Sequence, residues 1–476
     1  MAHTLKAYYY TDPATAVTVD FYGAVADNDG IAVDSYQMGI PGIEQARNNS
    51  LYSDSPRPVY SKHGTVTDVL TVTVRGSTNT NLYTNLHLLA KLGEYARRSS
   101  ENPRVLGIPY LQMKPGGSAA GEVLYARIYD CRVEMPGDWA SHVDATLTIE
   151  DVTVTIERGL WQTTAIGDAS TTYNIASTLA PLASSASSSV SVGGDTDALY
   201  WLQLFQDTDV GASINRAIIG YRSASLGGSN YASLGKKEAE SQTNGTDTSD
   251  AADATASGGN KVTCTFGTAT IATRLSGSGI PYGVHRVFAR MKITSTAVAT
   301  VNVKYQDNNP TGVVYSANNS VSVSSTSWLI YDMGVVRYYE DGIGSLVSGT
   351  ATGVWALDAL RASGSGNLDI DYLFFMPTEG YLTASGIALQ YDAANPDILM
   401  FDKVRAAFMI AQVYRSTAYA RTSSLSYTAS FSPVPGAFAL YWIAGVDSGS
   451  VFDSPLTGSI SVYIAATPRY LMPSVV

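Results

Sequence analysis

Charge is what this sequence has least of. Only 15% of its 476 residues are Asp, Glu, Lys or Arg, against about a quarter in an average soluble domain. The balance is acidic, −11 overall, and no run of Lys or Arg is longer than two residues. A protein that neutralises phosphates needs a basic stripe, so nucleic acid is not an expected partner. Cysteine is nearly absent: Cys131 and Cys264 lie far apart and supply neither a disulfide framework nor a paired-cysteine metal site. Both are read as small core residues. Histidine occurs five times, at His3, His63, His87, His142 and His285, with no HExxH spacing. There is no G-x-S-x-G nucleophile elbow, no P-loop and no dinucleotide fingerprint, so no catalytic site is expected and the chain is read as a non-enzyme. No stretch approaches the roughly 18 apolar residues that cross a bilayer, and the segment MAHTLKAYYYTD carries no apolar leader. Neither membrane insertion nor export by a standard signal is expected.

What the chain has instead is apolar and uncharged polar material. Hydrophobic residues make up 45%, with 31 Tyr and 42 Gly, enough for several cores; a single core stops growing at about 250–300 residues. Three domains are the natural division. Strand periodicity dominates, and the expected fold class is mostly β. In TVTDVLTVTVR (65–75), Leu70, Val72 and Val74 share one face. Gly76, Ser77 and Thr78 then break the strand. A helix is predicted from Asn79 to Arg98, where Leu82, Leu86, Leu89, Leu92 and Ala96 recur at helical spacing. The segment 121–135 alternates cleanly. The segment 145–158 alternates too, but slips phase between Ile149 and Val152, which a bulge or a tight turn near Glu150 and Asp151 would explain.

These patterns divide the chain into a first unit over 1–165, a Ser-, Thr- and Ala-rich linker over 166–194, an outer β-sandwich made of 195–230 and 379–476, and an all-β module over 231–378 inserted in that sandwich. Strands are expected at 198–206, 214–222, 407–414, 424–431, 437–446 and 459–466.

The module carries KKEAES (236–241), ATASGGNKV (254–262) and NLDIDYLFFMP (367–377). In that order they resemble family 6 and family 35 carbohydrate-binding modules, which implies a β jelly roll. The resemblance also implies a structural calcium on Glu238, Glu240 and Asp371, and Asp369 shares the parity of Asp371 and can join it. Hard carboxylate oxygens are what Ca²⁺ selects. For sugar stacking the candidate rings are Tyr282, Tyr305, Tyr315, Trp328 and Trp355, with polar support from Asn308 and Asn309.

The first unit, through TVTDVLTVTVRG, the helix behind it and TLTIEDVTVTIERGLWQ, resembles the N-terminal domain of siphophage distal tail proteins and the tail-tube fold. GDTDALYWLQLFQDTD with INRAIIGYRS, and SVYIAATPRYLMP near the C-terminus, resemble the sandwich that follows it. The resemblance implies a phage virion structural protein of the tail, made in the host cytoplasm. Its expected partners are copies of itself in a hexameric ring, other tail proteins and host cell-surface glycan, with host attachment the role of the module. Two alternatives stand beside it: a tail-tube or capsid-surface protein with decoration domains, and a free carbohydrate-binding protein.

Overall fold

The computed structural model describes residues 4–11, 15–22, 29–48, 57–101, 107–115, 123–137, 147–163, 175–179, 189–223, 235–281, 283–306, 314–316, 320–338, 352–377, 380–394, 396–402, 410–414, 426–429, 435–447, 451–453 and 460–471. The fold is mostly β, in antiparallel sheets, with a single α-helix among the described residues. No described helix is long and apolar enough to cross a membrane.

Alternation builds the first core. Strand Val66–Arg75 turns Leu70, Val72 and Val74 inward, and strand Leu124–Glu134 does the same with Leu124, Ala126 and Ile128. The strands run in the order Gly30–Gln37, Val66–Arg75, Thr148–Arg158, Leu124–Glu134, Tyr110–Lys114, Thr4–Tyr10, Ala16–Asp20. A bridge between Tyr22 and Ala32 then joins the two ends, so the sheet curls round its own core. The helix Asn79–Glu101 starts where Thr78 Oγ1 accepts the Asn81 amide (3.2 Å), and buries Leu82, Leu89, Leu92 and Ala96. The phase slip is a bulge: Val72 pairs Val152 while Val74 pairs Ile149, and Asp151 takes φ 61°. Cys131 belongs to this core, and burial pushes its thiol up to about 12; Cys264 is buried elsewhere, and both are free thiols.

Two long sheets organise the rest. One continues the first unit: strand Trp161–Gln162 pairs Ile460–Tyr470, which pairs Thr196–Gln206, then Ile398–Asp402 and Ile410–Tyr414. The other runs through Leu368–Pro377, Gly283–Ile293, Leu329–Tyr338, Val451–Asp453, Gly436–Asp447, Ile214–Ser223, Gly380–Leu389 and Ser426–Ala429. A hydrophobic core of residues from 192–221 and 382–466 fills the space between them. The segment read as a linker contributes strands of its own. Ile175–Leu179 pairs the strand Ile460–Tyr470, and Ser189–Val192 pairs Gly436–Asp447.

A third core is built mostly from the stretch 239–376, and Ile218, Ala439, Tyr441 and Ile443 join it from outside that stretch. There the second sheet faces one built from Thr243–Asn244, Ala272–Pro281, Thr352–Ser363, Val298–Gln306 and two short strands. Trp355, Tyr305, Phe288, Leu373 and Phe375 are among its members.

Candidate functional site

Glu238 and Glu240 of the KKEAES segment meet Asp371 of the DIDY segment at one edge of strand Leu368–Pro377. Two strands share that edge in tandem: Gly235–Glu238 pairs residues 372–375, and Asn260–Cys264 pairs residues 368–370. Asp371 falls at the gap between them. On the opposite edge the register with Gly283–Ile293 jumps between Arg290 and Met291, so a bulge also falls beside Asp371. This irregular pairing brings three elements to one carboxylate: the 3₁₀ turn Ala239–Ser241, the turn containing Ser257 and Gly258, and the Arg290 side chain.

Asp371 is fully buried. Its Oδ1 accepts the Ser257 amide (3.0 Å) and faces Ser257 Oγ (3.0 Å), while Oδ2 pairs with the Arg290 guanidinium. Ser257 Oγ also lies 2.6 Å from Glu238 Oε2. One hydroxyl carries one proton, so it serves Glu238 and Asp371 in turn and leaves one of them short of a donor. Glu238 Oε1 pairs with Lys236. Glu240, the third carboxylate, has a buried Oε2 with no hydrogen-bond partner among the described residues. Gly258 closes over it: a Cβ there would collide with Glu240 Oε1 and would approach the Glu238 carboxyl carbon to 3.8 Å. Burial, then the neighbouring charges of Glu238 and Asp371, raises the Glu240 carboxyl above its ordinary value. Asp371 is raised as well, chiefly by burial, with Arg290 opposing.

The donors are the hard oxygens a divalent cation selects, and the unpartnered Glu240 Oε2 is a position such a cation would satisfy. Among the described residues, however, no three His, Cys, Asp or Glu side chains already stand in metal-binding geometry. Asp369 does not belong with the other three. It is fully buried, and its oxygens are taken by Lys261 Nζ (2.6 Å) and Thr263 Oγ1 (2.9 Å). The parity that grouped it with Asp371 fails because a bulge separates the two positions.

The aromatic candidates are placed differently from the sequence expectation. Tyr305 and Trp355 are fully buried and pack on Phe375, with ring centroids 6.1 and 5.6 Å away, so neither offers a face for stacking. Their strands alternate, and these positions fall on the inner face. Trp328 is 8% exposed; its Nε1 donates to Thr255 Oγ1 (2.9 Å). Lys292 and Arg290 lie 4.3 and 5.0 Å from its ring. Tyr315 sits on strand Val314–Ser316 opposite Tyr305, and its side chain lies outside the described residues. Tyr282, Asn308 and Asn309 also lie outside them.

Sequence reasoning missed Ser257, Gly258, Lys236 and Arg290. The first two stand inside the ASGG element that carried the jelly-roll resemblance, and Lys236 opens KKEAES; Arg290 has no local signal, because a bulge turns it toward Asp371. Also missed was a closed ion pair in the first unit. Arg158 and Asp68 are both wholly buried, with Nε to Oδ2 at 2.6 Å and Nη2 to Oδ1 at 3.1 Å. Tyr36 Oη and the Gly39 amide complete the Asp68 shell, each at 2.8 Å, and the guanidinium lies 4.4 Å from the Trp161 ring.

No family model matches the chain, and no curated protein does. Solved structures similar to it include the CBM22-1 xylan-binding domain from Paenibacillus barcinonensis Xyn10C, at 14% identity over 30% of this chain and 93% of that one, TM-score 0.22. They also include the SPP1 Dit (gp 19.1) protein, described as a hub of the adsorption apparatus in phages infecting Gram-positive hosts, at 9% over 79% and 100%, TM-score 0.20. A third is the phage P2 baseplate in its activated conformation with Ca, at 7% over 98% and 99%, TM-score 0.26.

Proposed function

We propose that the chain is a structural subunit of a phage tail, at or near its distal end. In this reading residues 1–165 assemble with copies of themselves into a ring and contact other tail proteins, while the sandwich carries the 231–378 module outward toward the host surface. The function is assembly and display, without chemistry.

The observation that carries the reading is a hairpin. Strands Ile43–Asn48 and Arg57–His63 pair only with each other among the described residues, and Ile40 and Ile43 at its base are 72% and 62% exposed. A lone two-stranded ribbon is marginal in water. Burying an exposed isoleucine is worth about 1.5–3 kcal/mol. A neighbouring copy laid against this arm would supply the missing strand partner and cover both side chains. The sequence resemblance of the first unit to distal tail proteins points the same way. Purified protein should give rings in negative stain and a matching mass by light scattering, and replacing both Ile40 and Ile43 by Asp should release monomers. A monodisperse wild-type monomer under virion-like conditions would overturn the reading.

Within the module, the residues that would hold a calcium ion are Glu238, Glu240 and Asp371. Bound there, the ion would supply charge neutralisation at the edge of strand Leu368–Pro377. Glycan contact draws no support from the rings of Tyr305 and Trp355, which are core residues.

A further inference from the structure

We infer that the central sandwich is a rigid joint, because each of its two sheets continues, hydrogen bond by hydrogen bond, into a different neighbour. The module is therefore a fixed arm and not a tethered bead. This holds whether or not the chain forms a ring.

The first sheet leaves the sandwich through the strand Ile460–Tyr470. At its far end Tyr470 pairs Trp161 and Arg469 pairs Gln162, on the strand that follows Thr148–Arg158 of the first unit. Trp161 is itself a buried member of that core. Arg469 also locks the entry to the sandwich: its carbonyl accepts the Asp195 amide (2.8 Å), and its guanidinium donates to the Asp197 carbonyl.

The second sheet leaves through the short strand Val451–Asp453, which pairs Gly436–Asp447 on one side and Leu329–Tyr338 of the module on the other. The seam is apolar as well as hydrogen-bonded. On strand Gly436–Asp447, Phe438, Leu440, Trp442 and Ala444 point into the sandwich core, whereas the alternate residues Ala439, Tyr441 and Ile443 join the module core. On Ile214–Ser223, Ala217, Ile219 and Tyr221 face the sandwich and Ile218 faces the module. Tyr441 meets Phe374 edge-on, centroids 6.5 Å apart.

Gly220 sets how closely these parts approach. A Cβ there would lie 2.5 Å from Met376 Cγ and 2.6 Å from the Pro377 carbonyl oxygen, at the end of the module's last strand. Any side chain at 220 must push that strand off the sandwich. A flexibly attached module would have no reason to keep backbone this near, nor to bury Ile218, Tyr441 and Ile443 against its own core.

The test is spin-label distance measurement on the full chain. Both native cysteines are buried, so exposed positions can carry the labels: Lys91→Cys on the helix, Ser213→Cys on the sandwich and Ser365→Cys on the module. The pairs 213/365 and 91/213 should each give one narrow distance peak. Gly220→Val should abolish the narrow 213/365 peak and keep the 91/213 peak. A broad 213/365 distribution in the otherwise wild-type chain, or no effect of Gly220→Val in soluble protein, would overturn the inference. Should Gly220→Val fail to fold, Tyr441→Ala replaces it: loss of the narrow 213/365 peak with the 91/213 peak kept supports the joint, and an unchanged 213/365 peak overturns it.

Discussion

Asp68 and Asp371 are both wholly buried aspartates paired with an arginine, yet they sit in opposite electrostatic circumstances. Around Asp68 donors and acceptors match: one carboxylate, the bidentate Arg158, the Tyr36 hydroxyl and the Gly39 amide. Around Asp371 they do not. Three carboxylates, Glu238, Glu240 and Asp371, face one guanidinium and one ammonium, and a single Ser257 hydroxyl stands between two of them. The first arrangement is closed and has nothing to offer a ligand. The second retains an unpartnered acceptor and a surplus negative charge, the condition under which a cation binds. Burial of a charge is therefore a poor guide to function. The informative quantity is whether the donors around it suffice.

The comparison breaks hardest at Asp68. Asp68→Ala leaves Arg158 buried without its counter-charge, which costs about 3–5 kcal/mol, or roughly 6–20 °C of melting temperature for a core of this size. Arg290→Met should cost less, about 1.5–3 kcal/mol, the loss of a charge-assisted hydrogen bond, because Asp371 keeps its Ser257 donors. Thermal melts followed by Trp fluorescence rank the two. An Arg290→Met variant as damaged as Asp68→Ala would show that the Asp371 cluster is as closed as the Asp68 one.

Calcium sharpens the contrast. A ligand that binds only the folded state at about a hundredfold above its Kd adds about 2.7 kcal/mol. Millimolar CaCl₂ should therefore raise the melting temperature of the wild type, and Glu240→Gln should remove most of that rise. Asp369→Asn should leave the calcium response in place, since Asp369 is engaged by Lys261 and Thr263. Calorimetric titration of EDTA-treated protein gives the same answer independently; no heat and no thermal shift would dismiss the cation.

How much of this was legible in the sequence depends on whether the signal is local. The helix over 79–98, the alternating strands and the phase slip at Asp151 all follow from periodicity, which a few neighbouring residues fix. The strands Ile214–Ser223 and Gly436–Asp447 were recognisable too, and the continuous apolar run of the second already says that both its faces are covered. What covers the second face is a core whose residues lie far off in the chain, and no local pattern encodes that. For the same reason Glu238 and Asp371 could be named from their motifs, whereas the Arg290 partner and the separation of Asp369 could not. Both depend on a register jump between strands distant in sequence. Tyr305 and Trp355 failed as ligand candidates because ring type says nothing about which face of a strand is buried.

The smallest expected effect is one of pH, and it isolates Glu240. In the cation-free protein the folded state holds Glu240 above its ordinary value of 4.5 and Asp371 above 3.8. Raised carboxyls favour the folded state while protonated, so this contribution is complete below the unfolded values and is lost as pH climbs through the folded ones. Asp253 has the opposite sign. Although burial works against it, hydrogen bonds from Lys292 and Thr255 hold it well below 3.8, so its stabilisation is present above that value and fades in stronger acid. Between these limits, on the mildly acid side of neutrality, the EDTA-treated protein should melt higher than it does at pH 7. Replacing Glu240 by Gln removes one raised group and should flatten that rise, while calcium should abolish it by favouring the charged form. Parallel melting profiles for wild type and Glu240→Gln from about pH 4.5 to 7.5 would mean that Glu240 does not sense Glu238 and Asp371, and the contrast with Asp68 would lose its electrostatic basis.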